Sequence, residues 1–187
     1  MNNLIWTKQN SLSKEFCKHL IHKFENDDRK SAGRIDRGID FKVKRSIDLL
    51  ITAFPGWEDE DKVLYDSLSE LIGEYEIYCT QINKYLNFRV GDMDDTGYQI
   101  QRTCPGEYYN WHSDSTFESN RKRMITFIWY LNDVHYDGET EFVDGTKIQP
   151  ETGKALMFPA TWTYLHRGVS PKKEVKYICT GWVYAKI

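Results

Sequence analysis

Two histidines, an aspartate and a lysine are the residues of this chain whose types and spacing could do chemistry together. His112-Ser113-Asp114 lies in a strand-like run, EYYNWHSDS. Residues two apart in a strand face the same way, so this imidazole and carboxylate are expected to project to one side. His166, 52 residues beyond Asp114 and at the end of the strand-like TWTYLH, is the candidate third ligand. Two imidazoles and one carboxylate on one face of a metal leave three coordination positions open, a donor set suited to non-haem iron(II) and O₂ chemistry. Taken singly, each residue also has an ordinary reading: His112 as a core histidine, Asp114 as a turn residue, His166 as a surface group. His19 and His22 on the first helix and His135 in a loop keep that ordinary reading. Lys176 sits in the run VKYICTGWVYA, where alternation puts Lys176, Ile178, Thr180, Trp182 and Tyr184 on one face. An ammonium among such neighbours is costly to bury without an anion. A dicarboxylate would supply one; an exposed edge lysine would need none.

The elements that must position these groups are legible as patterns. Ser11 or Ser13 can cap a first helix whose apolar stripe is Phe16, Leu20, Ile21 and Phe24. Residues 26–38 are polar and glycine-bearing, which predicts a loop, and Lys44–Ile51 predicts a strand leading to a Pro55-Gly56 turn. A long helix is predicted from about Trp57 to Tyr85, with Leu64, Leu68, Leu71, Ile72, Tyr75, Ile82 and Leu86 at helical spacing and Gly73 as its one interior weakness. Residues 87–97, NFRVGDMDDTG, predict an acidic loop that could close over a groove or simply link elements. From Tyr98 onward the chain reads as short strands separated by turn signals, with Asp144-Gly145 marking a hairpin. Helices first and antiparallel strands after predict a closed or two-sheet β structure with helices packed outside.

With 187 residues, 40% of them hydrophobic and 14% aromatic, the chain suits one domain, residues 1–187, with a sizeable core. A formal charge of −3 makes no electrostatic case for nucleic acid or an anionic membrane, despite the local clusters Arg121-Lys122-Arg123 and Lys172-Lys173. Cys17, Cys79, Cys104 and Cys179 are scattered and read as reduced thiols. The sequence start lacks a secretory pattern and no apolar run approaches the ~20 residues of a membrane span, so a cytoplasmic protein is expected.

The pieces CPGEYYNWHSD, RMITFIWYLN, GETEF, QPETGKALMFP and the stretch from His166 to Trp182 occur in an order and spacing that resemble the prolyl 4-hydroxylase branch of the iron(II)/2-oxoglutarate dioxygenases, over about residues 98–184. The resemblance implies an α+β, mainly β fold. A double-stranded β-helix (jelly-roll, cupin-like) core over about 98–187 would be supported by helices within about 1–86. It implies iron(II) held by His112, Asp114 and His166, with 2-oxoglutarate and O₂ as cosubstrates and ascorbate as an accessory whose need stays open. Lys176 would pair with the distal carboxylate of 2-oxoglutarate, and the Tyr130 phenol would hydrogen-bond the same carboxylate. Thr126 and Ile128 share the strand face of Tyr130, with Phe127, Trp129 and Leu131 on the other. On the substrate side the resemblance points to Tyr109, Arg123 and Trp182, with Tyr184 on the Trp182 face. Two departures stand out: Thr103 where relatives often carry a tyrosine, with Gln101 as a substitute on the same face, and Asp137 where a second glycine is common.

The expected activity is hydroxylation of prolyl residues in a peptide or protein, coupled to decarboxylation of 2-oxoglutarate to succinate, with no nucleic-acid or membrane partner. A hydroxylase of a free amino acid or other small molecule, and a non-catalytic metal- or ligand-binding β-barrel, are the competing expectations. A wide groove favours the peptide and a sealed pocket the small substrate. Nucleic-acid demethylation ranks lower, because such relatives carry arginine where this chain has Lys176.

Overall fold

The computed structural model describes residues 4–35, 37–85, 93–118 and 121–185. Two helices precede most of the strands. Helix α1, Lys14–Glu25, starts at Ser13, whose Oγ accepts from the Phe16 N–H at 3.1 Å. Helix α2, Glu58–Ile82, opens with Glu58, Asp59, Glu60 and Asp61, four carboxylates at the positive end of the helix dipole. It stops three residues short of the expected Tyr85. Leu64, Leu68, Leu71, Ile72 and Tyr75 form its buried stripe. Buried Glu60 joins the two helices, its carboxylate oxygens 2.6 Å from His19 and 2.6 Å from Lys23, which leaves His19 a structural residue.

The strands, in chain order, are β1 (Trp6–Lys8), β2 (Ser31–Ala32), β3 (Ile47–Leu50), β4 (Met93–Asp95), β5 (Gln99–Thr103), β6 (Tyr109–His112), β7 (Phe117–Glu118), β8 (Arg121–Tyr130), β9 (Thr140–Phe142), β10 (Lys147–Ile148), β11 (Ala155–Pro159), β12 (His166–Gly168) and β13 (Lys176–Ala185). Among the described residues, they make a nine-stranded sheet along β1-β11-β8-β13-β5-β3-β2, with β4 on β13 and β7 on β8. A four-stranded sheet, β10-β9-β12-β6, faces it. The expected hairpin is β9–β10, where Gly145 takes a φ of 89° and the Thr146 N–H donates to Asp144. The two antiparallel sheets form the double-stranded β-helix.

Alternation along β8 and β13 decides what each face of the large sheet does. Ile125, Phe127, Trp129, Cys179 and Val183 point outward into one apolar cluster with Leu20, Phe24, Leu64, Leu68 and Tyr75 of the helices. Thr126, Ile128, Lys176, Ile178, Thr180 and Trp182 point inward, toward the small sheet. Ile128, Tyr130, Phe142, Leu156 and Phe158 fill one end of the space between the sheets.

Several expected boundaries shift. The Lys44–Ile51 strand is shorter, Ile47–Leu50, and is followed by a turn of 3-10 helix, Ile51–Ala53. The loop expected at 26–38 contains β2, paired with β3. Of the loop expected at 87–97, residues 87–92 lie outside the described residues, and 93–95 pair with β13 as a strand. Leu86, assigned to the helical stripe, also lies outside them.

Candidate active site

The small sheet carries both histidines in register: His166 of β12 pairs with His112 of β6. Each ring is turned by its own backbone. His112 Nδ1 lies 2.8 Å from the Asn110 carbonyl, and His166 Nδ1 lies 3.0 Å from the Tyr164 carbonyl. If each Nδ1 carries the proton it donates there, both Nε2 lone pairs are left facing inward. Asp114 completes the group by a route that strand alternation does not give. Strand β6 ends at His112, so Asp114 does not owe its direction to the period of a strand. Instead the Thr126 hydroxyl, reaching from β8, donates to Asp114 Oδ2 at 2.7 Å and holds the buried carboxylate inward. Asp114 Oδ1 is then 3.6 Å from His112 Nε2, and Oδ2 is 3.6 Å from His166 Nε2. His166 likewise begins a strand rather than ending one, because 160–165 is irregular.

One ligand atom from each of these three residues lies within 4.8 Å of the others, a spacing that a single cation can bridge. Burial, reinforced by the nearby His166, lowers the His112 pKa to about 4, which keeps the imidazole neutral, the form that binds a metal. Burial works to raise the Asp114 pKa, but the two imidazoles and the Thr126 hydroxyl outweigh it and hold the carboxyl below its ordinary range. Neutral imidazoles beside an ionised carboxylate are the donor set that iron(II) takes. Tyr109 stacks flat on His112, with ring centroids 3.5 Å apart and planes 9° apart.

A narrow cavity of about 60 Å³ runs inward from this cluster between the sheets. Lys176, Ile178, Thr180, Gln101, Thr103 and Thr140 are among its walls. Lys176 is 5% exposed, and among the described residues no carboxylate forms an ion pair with it. Burial lowers its pKa to about 8, partly offset by Glu139. An ammonium so placed fits an anion entering the cavity. Tyr130 is not itself a wall of the cavity. Its phenol donates to Thr140 Oγ1 at 2.7 Å, and Thr140 is the residue that reaches the cavity, because alternation turns the threonine of GETEF inward. The Tyr130 hydroxyl is thus engaged by Thr140, while its ring centroid lies 5.8 Å from Lys176 Nζ. Thr140 was not among the residues expected at the site, and its only signal in the sequence is that alternation.

Outward, the site opens into a groove of about 590 Å³, whose walls include Arg123, Trp182 and Tyr109. Arg123 is buried, its guanidinium carbon 3.6 Å from the Trp182 ring centroid. Tyr184 lines neither cavity nor groove; it lies beyond a register shift in the β13–β8 pairing, beside β4.

The sequence model of the 2OG-Fe(II) oxygenase superfamily matches residues 98–184, the stretch that supplies all three convergent ligands and Lys176. Over residues 98–184 the chain is similar to the 2OG-Fe(II) oxygenase superfamily. Proteins similar to this chain include a PKHD-type hydroxylase of Synechococcus sp. (strain CC9605), 28% identical over 90 residues, 45% of this chain and 40% of the relative. A prolyl 4-hydroxylase-like protein of Acanthamoeba polyphaga mimivirus is 37% identical over 71 residues, 32% of this chain and 29% of that one. The chain thus spans less than half the length of these relatives. Among solved structures, the viral collagen prolyl hydroxylase of Paramecium bursaria Chlorella virus-1, in its 2OG complex, superposes with a TM-score of 0.68 at 22% identity. That match covers 98% of this chain and 97% of the other, and it shows the shared double-stranded β-helix fold, first-half helices included. Among the described residues, no helix is long and apolar enough to cross a membrane.

Proposed function

We propose that the chain works as a single domain, an iron(II)- and 2-oxoglutarate-dependent dioxygenase that hydroxylates prolyl residues in a peptide or protein while 2-oxoglutarate is decarboxylated to succinate. One observation carries this reading: three convergent metal-ligand side chains stand at the mouth of a cavity walled by a buried ammonium that, among the described residues, no carboxylate neutralises. Bound there, iron(II) with 2-oxoglutarate and O₂ supplies the oxidising power for C–H hydroxylation. His112, Asp114 and His166 would hold the metal and leave positions open for the cosubstrates. Lys176 would pair with the distal carboxylate of 2-oxoglutarate. Thr140, oriented by Tyr130, would offer that carboxylate its hydroxyl, with Gln101 and Thr103 on the neighbouring strand. Such anchoring converts a loose encounter into a positioned one. Ile178 and Ile128 exclude water from the cavity walls. Arg123, Trp182 and Tyr109 would receive substrate, and the groove, far roomier than the cavity, supports an extended peptide over a small molecule sealed inside.

The test is succinate release from 2-oxoglutarate with iron(II), O₂ and a proline-containing peptide library, with and without ascorbate, read together with a 16 Da mass gain on the peptide. His112→Ala and Asp114→Ala should each lower turnover by roughly a hundredfold or more, as removal of a ligand does. Full activity in either variant removes that residue from the site, and a wild-type protein that forms no succinate sinks the dioxygenase reading. Hydroxylation of a free amino acid but of no peptide would transfer the assignment to a small substrate.

A further inference from the structure

The outer wall of the groove carries a charge distribution that the chain as a whole does not. The sequence has 25 basic and 28 acidic residues, net −3. Yet among the described residues the groove wall holds Arg34, Arg37, Lys44 and Arg123 against a single carboxylate, Asp114, which faces the two imidazoles. Lys44 is neutralised locally, its Nζ 2.7 Å from Asp48 Oδ2, and Arg123 lies against Trp182. Arg34 and Arg37 are different: both are exposed, and among the described residues neither forms an ion pair.

These two arginines are held in place by a built base. Their segment is tied to β3, where the Gly33 N–H donates to the Ser46 carbonyl at 2.9 Å. A Cβ on Gly33 would come within 2.2 Å of Ser46 Oγ and 3.0 Å of Lys44 Cε, so a larger residue there would displace these side chains. Ser46 and Lys44 both bind the buried Asp48 carboxylate. Residues 43–45, which lead into Ser46 and β3, are in turn fastened beside the strand that bears His112, through Arg45 N–H to the Tyr108 carbonyl at 2.7 Å and Asn110 N–H to the Val43 carbonyl at 2.8 Å. Beyond Arg34, a bridge between Ile35 and Gly38 closes a tight hairpin that includes Arg37. The arrangement sets two exposed guanidinium groups at the rim of the metal site.

We propose that the groove recognises a carboxylate on the substrate, an acidic side chain near the reacting residue of a peptide, and that Arg34 and Arg37 read it. Guanidinium groups match carboxylates in planar, two-point geometry, and a local cationic rim on an acidic protein steers anionic segments toward it. This names the substrate class of the proposed dioxygenase site and depends on the dioxygenase reading only for the chemistry after binding.

The test measures binding separately from turnover. Fluorescent proline peptides flanked by Glu, Gln or Lys are titrated against the metal-loaded protein at two salt concentrations, with turnover of each followed in parallel. The Glu-flanked peptide should bind about tenfold tighter than the Gln-flanked one at low salt, and the gap should narrow at high salt. R34Q/R37Q should abolish that preference while keeping affinity for the Gln-flanked peptide within about twofold, since both side chains are exposed and support no buried contact. Equal affinities, or tightest binding of the Lys-flanked peptide, would overturn the assignment. Free glutamate competing as well as the Glu-flanked peptide overturns the peptide source, and a single-stranded oligonucleotide binding more tightly than any peptide overturns the acidic-peptide partner. Charge-selective binding without turnover defeats the dioxygenase reading and leaves this assignment standing. Turnover without charge preference does the reverse.

Discussion

At Lys176 burial and charge pull in opposite directions. The ammonium is 5% exposed and has a pKa lowered to about 8 from an ordinary 10.5. Below pH 8 both folded and unfolded chains hold the proton, so the folded state bears the full cost, about 3 kcal/mol at 1.36 kcal/mol per pKa unit. Between pH 8 and 10.5 the unfolded chain binds more protons, and stability should rise with pH over that window. Lys176→Met fills the same volume without the charge. It should raise Tm at pH 7 by roughly 2–12 °C, from about 1–3 kcal/mol at 2–4 °C per kcal/mol. On the proposed role, it should also raise the 2-oxoglutarate KM by an order of magnitude or more. A melting curve that does not move, beside an unchanged KM, would mean the lysine is neither strained nor used. Protonation gives a second handle: the wild-type KM for 2-oxoglutarate should climb above pH 8 as the ammonium is lost. Lys176→Arg keeps its charge throughout, so its KM should stay flat across pH 7–9 even if higher overall.

Strand β13 brings Lys176 and Trp182 to the site together, and Gly181 decides how closely it can lie on its neighbours. A Cβ there would meet the Gly97 carbonyl oxygen at 2.4 Å and the Phe127 ring at 2.5 Å. Gly181→Ala should therefore push the strand away from β4 and β8 and destabilise the protein by about 1–3 kcal/mol, as overpacking does. Denaturant unfolding checks the loss, and a midpoint within error of wild type would show that the contact yields freely. Alternation made β8 and β13 legible in advance: the cavity face Thr126-Ile128 and the opposed Phe127-Trp129-Leu131 stand where period two puts them. The same rule failed at Tyr184. Val183 pairs with Ile125 but Tyr184 with Arg123, so Met124 is skipped, and a bulge of that kind turns the strand locally. At Asp114 the carboxylate does lie beside His112, but past the end of β6, where the Thr126 hydroxyl of β8 holds it. Arg34 and Arg37 read only as members of a polar loop, because what ties their segment down is the bond from Gly33 to Ser46 beside β3, invisible to any local pattern.

Across the whole molecule, the large sheet separates two tasks. Its outer face packs on α1 and α2 through Leu20, Phe24, Leu64 and Leu68, and its inner face lines the cavity. The helical periodicity of the first half was therefore readable, and so was its place outside the sheets; which strand face it covers was not. If that separation holds energetically, loss of packing behind the sheet and gain of ligands in front should add independently. Leu68→Ala, in a side chain 2% exposed, should cost about 2–5 kcal/mol. Iron(II) and 2-oxoglutarate, added without O₂, should stabilise wild type by about 2.7 kcal/mol for each ligand present at a hundred times its Kd. The same increment is expected in Leu68→Ala, because the mutated side chain on α2 and the metal ligands are separated by the large sheet. Unfolding both proteins with and without the ligand pair closes a double-mutant-style cycle. A markedly smaller increment in Leu68→Ala would show that α2 holds the cavity open through the sheet, making the helix part of the binding machinery and not a support behind it.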